Sequence, residues 1–178
     1  MAEGDMAHGT IRTQPQVSEA GGEVLVFHGT TLRRIDAILW EGTVRADANP
    51  IWPTTSPGFV YVSLSLQDAL EFGRLALLKE RGGSRRTGGG GALLAAVLAW
   101  PAAPEGLLAD RDEHALDDEW DRDGRSRGRD CRRIPGAVQP RRLWLAVFNA
   151  GAGKRMRAAG VQDLQWLRAD EPLVELAW

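Results

Sequence analysis

The chain has 178 residues, 43% of them hydrophobic, which is enough to bury one core of ordinary size and argues against several domains. A net charge of −2 and a pI near 5.9 exclude capture of nucleic acid or an anionic membrane by the field of the whole molecule, so such a partner needs a local patch. The single cysteine, Cys131, excludes an internal disulfide, leaves too few sulfurs for a structural zinc site, and fits a reducing, cytoplasmic compartment.

In chain order, Met1 to Gly22 is polar and aperiodic, the pattern of a disordered arm, and residues 23–178 are expected to form one domain. The arm lacks the apolar centre of a signal peptide, and no apolar run is long enough for a transmembrane helix, so neither membrane nor metal is expected; export without a cleavable signal stays open. Glu23 to Phe27 predicts a strand that ends at His28-Gly29-Thr30. Thr30 or Thr31 then supplies an N-cap for a helix with Leu32, Ile35, Ile38 and Leu39 on one face, closed by Gly42. Asn49 to Pro57 holds three prolines and reads as irregular loop.

Phe59 to Leu64 predicts a second strand, with Tyr61 and Ser63 on one face and Val60 and Val62 on the other. Ser65, with Asp68 three residues on, predicts a capped helix running to about Arg81. Gly82 to Gly91 reads as a tether; glycine cradles for phosphate sit between a strand and a helix, whereas this segment follows a helix. Ala92 to Trp100 is apolar on both faces, which predicts a buried central strand, with a short buried helix as the other solution, ended by Pro101 and Pro104. Asp110 to Arg133 is nearly all charge, acids before arginines, with a short helix expected within Leu107 to Trp120. A strand-like entry and Pro-Gly turn lead to an apolar run from Leu143 to Phe148. A basic helical turn is expected over Asn149 to Gly160, and one or two short strands after Leu164. The sum is a small α+β domain.

Taken singly, His28, Tyr61 and Phe72 read as structural: a strand-end histidine is usually hydrogen-bonded in place, and Tyr in a strand or Phe in a helix is usually core. Their order and spacing carry more. The stretch "VFHGTT" followed by "GFVYVSLSLQDALEFG", with Tyr61 and Phe72 eleven residues apart, resembles the ADP-ribosyltransferase superfamily of the His-Tyr-Glu type. The likeness covers about Val24 to Trp100 and implies a compact, split, mixed β-sheet core with short flanking helices.

The resemblance implies NAD as co-substrate and release of nicotinamide. His28 would hydrogen-bond a ribose hydroxyl, and the Gly29 peptide unit would pair with the nicotinamide carboxamide, which a residue without Cβ allows. Tyr61 and Phe72 would hold the cationic ring between two aromatic faces, each contributing about 0.5–2 kcal/mol. Thr30 or Ser63 would add a hydroxyl contact. The family's glutamate, at the start of a late strand, would stabilise the cation-like ribose. Counting back from Val138 reaches Cys131, with Asp130 beside it, so Asp130 is the candidate acid together with Tyr61 as catalytic residues; rifamycin-modifying relatives look to use aspartate there. Glu113, Asp118 and Glu119 are further carboxylates of the acidic tract.

The implied activity is mono-ADP-ribosyl transfer to an acceptor whose class, whether protein, nucleic acid or small molecule, is set by the loops. Three other readings stand beside it. The first is a module that binds NAD or ADP-ribose without catalysis. The second is an RNA 2'-phosphotransferase-like enzyme using the arginines from Arg125 to Arg133, although that branch has histidine where this chain has Tyr61. In the third, His28 and Tyr61 are ordinary packed residues.

Overall fold

The computed structural model describes residues 14–16, 22–46, 55–81, 94–110, 131–150 and 164–169. The expected tether, basic turn and most of the charged tract, including Asp130, Glu113, Asp118 and Glu119, lie outside them. So does most of the N-terminal arm, although Pro15 within it is buried.

The first apolar run does not stop at Phe27. Strand β1 spans Val24–Thr31, because β3, Leu94–Ala102, pairs with all of it, from Val24↔Ala102 to Thr31↔Ala95. His28, Gly29 and Thr30 therefore lie inside a strand, which corrects the expectation of a strand ending at the histidine. Cross-strand packing outweighs the weak β propensity of glycine. The same pairing makes Ala92–Trp100 a strand from Leu94 onward, not a helix, and carries it through Pro101. Pro101 is tolerated there because the ladder from β3 to β6, Trp144–Asn149, ends at Ala99↔Trp144.

Helix α1, Leu32–Glu41, follows without a loop and buries Ile35 and Ile38. Gly42 closes it at φ 61°, a left-handed conformation glycine adopts at no steric cost. Strand β2, Phe59–Ser63, leads into α2, Leu66–Glu80, whose first turn is capped as expected: the Ser65 hydroxyl accepts from the Asp68 N–H at 3.3 Å. Thr31 occupies the cap position of α1, but its hydroxyl donates to Glu80 at 3.0 Å, and Glu80 also pairs with Arg34 at 3.3 Å. The start of α1 is thereby tied to the end of α2.

A 3-10 turn at Pro104–Gly106 precedes β4, Leu108–Ala109; most of the span expected to hold a short helix, residues 111–120, lies outside the described residues. Strands β5, Cys131–Pro135, and β7, Trp166–Arg168, complete one seven-stranded sheet in the order β4-β5-β2-β1-β3-β6-β7. The α+β class holds, but all the described pairings are antiparallel where a mixed sheet was expected. A bare strand–helix–strand crossover makes parallel neighbours; the further segment between α1 and β2 returns the chain and reverses the second strand. Between β1 and β2 the ladder shrinks to one pair, Phe27↔Ser63.

The sheet is covered on both faces. One face carries Phe27, Val97, Trp144, Phe148 and Trp166 against Leu66, Ala69 and Leu70 of α2. The other carries Val26, Val60, Val62, Leu98, Trp100 and Leu145 with Ile35 and Ile38 of α1. Each large apolar side chain so buried contributes about 1.5–3 kcal/mol.

Candidate functional site

Side chains alternate along a strand, and directly opposed residues share a face. Phe27 and Ser63 oppose one another on the face under α2, so Gly29 and Tyr61 stand on that face, while His28 shares the α1 face with Val26, Val60 and Val62. The imidazole and the phenol are thus on opposite sides of the sheet, and what the junction between β1 and β2 brings together is the imidazole and the Tyr61 backbone. Extending the register of Phe27↔Ser63 would set Gly29 against Tyr61, but the ladder does not extend. The Tyr61 carbonyl oxygen instead receives a hydrogen bond from His28 Nδ1 at 2.8 Å. A carbonyl only accepts, so Nδ1 is the donor in this bond.

Gly29 is glycine for a reason that no strand pattern reveals. A Cβ there would run into the carbonyl oxygen of Ala69 and come within 2.5 Å of Gly73 N. Gly73 is tight in return: its Cβ would lie 3.1 Å from Ala96 O and 3.3 Å from Thr30 N. Helix α2 crosses β1 through this glycine pair. Phe72, half-buried, is the residue before the crossing, and at 100° per residue it flanks the buried stripe on the side of Ala69 and Ala76. Glu71 and Arg74, either side of it in sequence, form a fork at 2.9 and 2.5 Å, and this bonding to Glu71 raises the Arg74 pKa above its ordinary value.

The Tyr61 hydroxyl accepts from the Ser56 N–H at 2.8 Å and donates to the Ser56 carbonyl at 3.1 Å. The hydroxyl end of the side chain is therefore held by the Ser56 backbone. Thr30 and Ser63, expected to offer hydroxyls to a ligand, are 2% and 1% exposed, and the Ser63 hydroxyl accepts from the Ser65 N–H at 2.9 Å at the entry to α2. Burial assigns both to packing.

Two neighbours owe their place to strand pairing, which the sequence pattern does not reveal. Arg133 is paired with Tyr61 across β2 and β5, and its guanidinium lies 4.3 Å from the centroid of the Phe59 ring. The alternation back from Pro135 carries that signal, hidden because the arginine run reads as solvated loop. On the α1 face the His28 ring is 6.3 Å from that of Trp100. Trp100 is 1% exposed, and its Nε1 has no hydrogen-bond partner among the described residues. At the start of β5, opposite Ser63, stands Cys131, which is buried and in no disulfide.

The arrangement presents a glycine peptide unit at a strand junction, an imidazole on one side and a clamped phenol on the other. No described helix is long and apolar enough to cross a membrane, and no cluster of metal-ligating side chains occurs among the described residues. The depression lined by Trp40, Glu41, Thr43, Arg45, Ala46 and Ala137 contains none of the site residues. No family model, curated protein or solved structure matches this chain.

Proposed function

We propose that this chain is an NAD-dependent mono-ADP-ribosyltransferase of the His-Tyr-Glu type, with the junction between β1 and β2 as its nicotinamide site. The observation that carries the proposal is the hydrogen bond from His28 Nδ1 to the Tyr61 carbonyl, in place of a ladder, at the junction that the sequence motif singles out. It holds the imidazole against β2 at the junction, where the proposal has it bond a ribose hydroxyl. The fold lends further support: the late strand expected to begin with the acidic residue is β5, and β5 begins beside β2, opposite Ser63.

In this function the carboxamide pairs with the Gly29 peptide, and Tyr61 and Phe72 take the two faces of the ring. The bond from ribose C1' to the pyridinium nitrogen then breaks, with its electron pair leaving on nicotinamide. The experiment is chromatographic measurement of nicotinamide released from NAD by the wild type and by Phe72→Ala. The wild type releases nicotinamide, and the substitution, which removes a stacking face, raises KM about 2- to 10-fold. Failure of the wild type to bind NAD would contradict the proposal.

One observation favours a second function, a module that binds NAD without cleaving it. The residue opposite Ser63 is Cys131, where the resemblance puts a carboxylate. Saturable NAD binding by calorimetry without nicotinamide release would select it.

A further inference from the structure

Helix α1 ends on a side chain that the nicotinamide site does not use. Trp40 lies two residues beyond the buried Ile38, about 200° round the helix, and is 91% exposed. A single exposed hydrophobe is ordinary, but this indole borders a depression of about 590 Å³, a volume within the range of small-molecule sites. Glu41, Thr43, Arg45, Ala46 and Ala137 complete the lining. The walls come from the segments that follow α1 and β5, and the bridge Val44↔Val138 locks them with two N–H···O bonds of 2.8 and 2.9 Å. Thr43 ties them again: its hydroxyl donates to the Glu41 carbonyl at 3.2 Å and accepts from the Gln139 amide at 3.4 Å.

The lining selects the ligand by charge and by hydrogen bonding. Glu41 and Arg45, its only charged members, face one another at 2.6 Å, so no net charge is left to hold a phosphate chain or a cation. That contact uses only Nε of Arg45, whose side chain is 74% exposed; its terminal nitrogens remain as donors beside the carboxylate as acceptor. A rim that both donates and accepts suits hydroxyl groups, and the indole face, negative at its centre, attracts the C–H bonds of a saturated ring. A pyranose with equatorial hydroxyls meets both demands, because its faces carry only C–H and its edge carries the hydroxyls. We infer that this depression binds a neutral sugar ring of the β-glucose type, stacked on Trp40 with its hydroxyls on Arg45 and Glu41. Sugar binding there is independent of NAD and of the transferase function.

The test is titration of the full chain with cellotriose, followed through the indole N–H resonances of its 7 tryptophans, that of Trp40 being identified from Trp40→Phe. Sorbitol, which has the hydroxyls but no ring face, and adenosine, which has a flat base, are titrated alongside. Cellotriose is expected to shift the Trp40 signal saturably, with a Kd on the order of 1 mM, while sorbitol leaves it unmoved. In calorimetry Trp40→Ala weakens binding about 10-fold or more, and Trp40→Phe, which keeps a smaller face, loses less. Trp40 is exposed, so both variants keep the fold, which the remaining indole signals report. No saturable response of Trp40 to cellotriose, an equal response to sorbitol, or tighter binding of adenosine would overturn the assignment.

Discussion

At the scale of single residues, the pair His28-Gly29 shows how one motif can answer to two constraints. The imidazole takes the carbonyl that a ladder partner would otherwise satisfy, and the glycine lets α2 approach β1. Because the clash at Gly29 is with helix backbone, no rotamer relieves it and the helix must move. Gly29→Ala is therefore expected to destabilise the fold by about 3 kcal/mol or more, read as a lower midpoint in chemical denaturation. A midpoint unchanged from wild type would show that α2 does not sit on β1 at this point. The motif itself was legible in the sequence. The helix's demand on Gly29 was not, because Ala69 and Gly73 are forty or more residues away and nothing local marks them as neighbours. Thr30 and Ser63 were misjudged for a related reason: alternation gives the face of a side chain but not what covers it.

At the scale of elements, local chemistry was a good guide wherever an element ends on a cap or a turn. Gly42 closes α1 and Ser65 opens α2 as their positions require. Ser65→Ala removes the acceptor for the Asp68 N–H and is expected to cost about 1 kcal/mol, seen as a small fall in Tm with the fold intact. Elements made by pairing were less legible. β1 continues through a histidine and a glycine only because β3 runs beside it for its whole length. The two-residue β4 owes its existence to β5 and has no hydrophobic pattern of its own. The place of Arg133 beside Tyr61 was hidden for the same reason: only the pairing with β2 sets one arginine of the basic run opposite the tyrosine.

At the scale of the whole molecule, the α+β class followed from the alternation of strand and helix signals, whereas strand direction did not, since it depends on where the segments after the helices return the chain. The sheet's halves, β4-β5-β2 and β1-β3-β6-β7, meet at one register pair, and the proposed ligand site lies where their pairing is thinnest. Thr31, Glu80 and Arg34 brace one half by joining β1, α2 and α1. That leaves the placement of Tyr61, held through its carbonyl by His28 and through its hydroxyl by Ser56, as the feature on which the proposed recognition of nicotinamide turns.

The chain contains a single tyrosine, so isotope labelling of that residue type reports on Tyr61 alone. The most direct test is an intermolecular nuclear Overhauser measurement on tyrosine-labelled protein saturated with NAD. Transfer between the Tyr61 ring protons and those of the nicotinamide ring is the predicted result. Saturable binding of NAD with no transfer to Tyr61, or no binding at all, would contradict it.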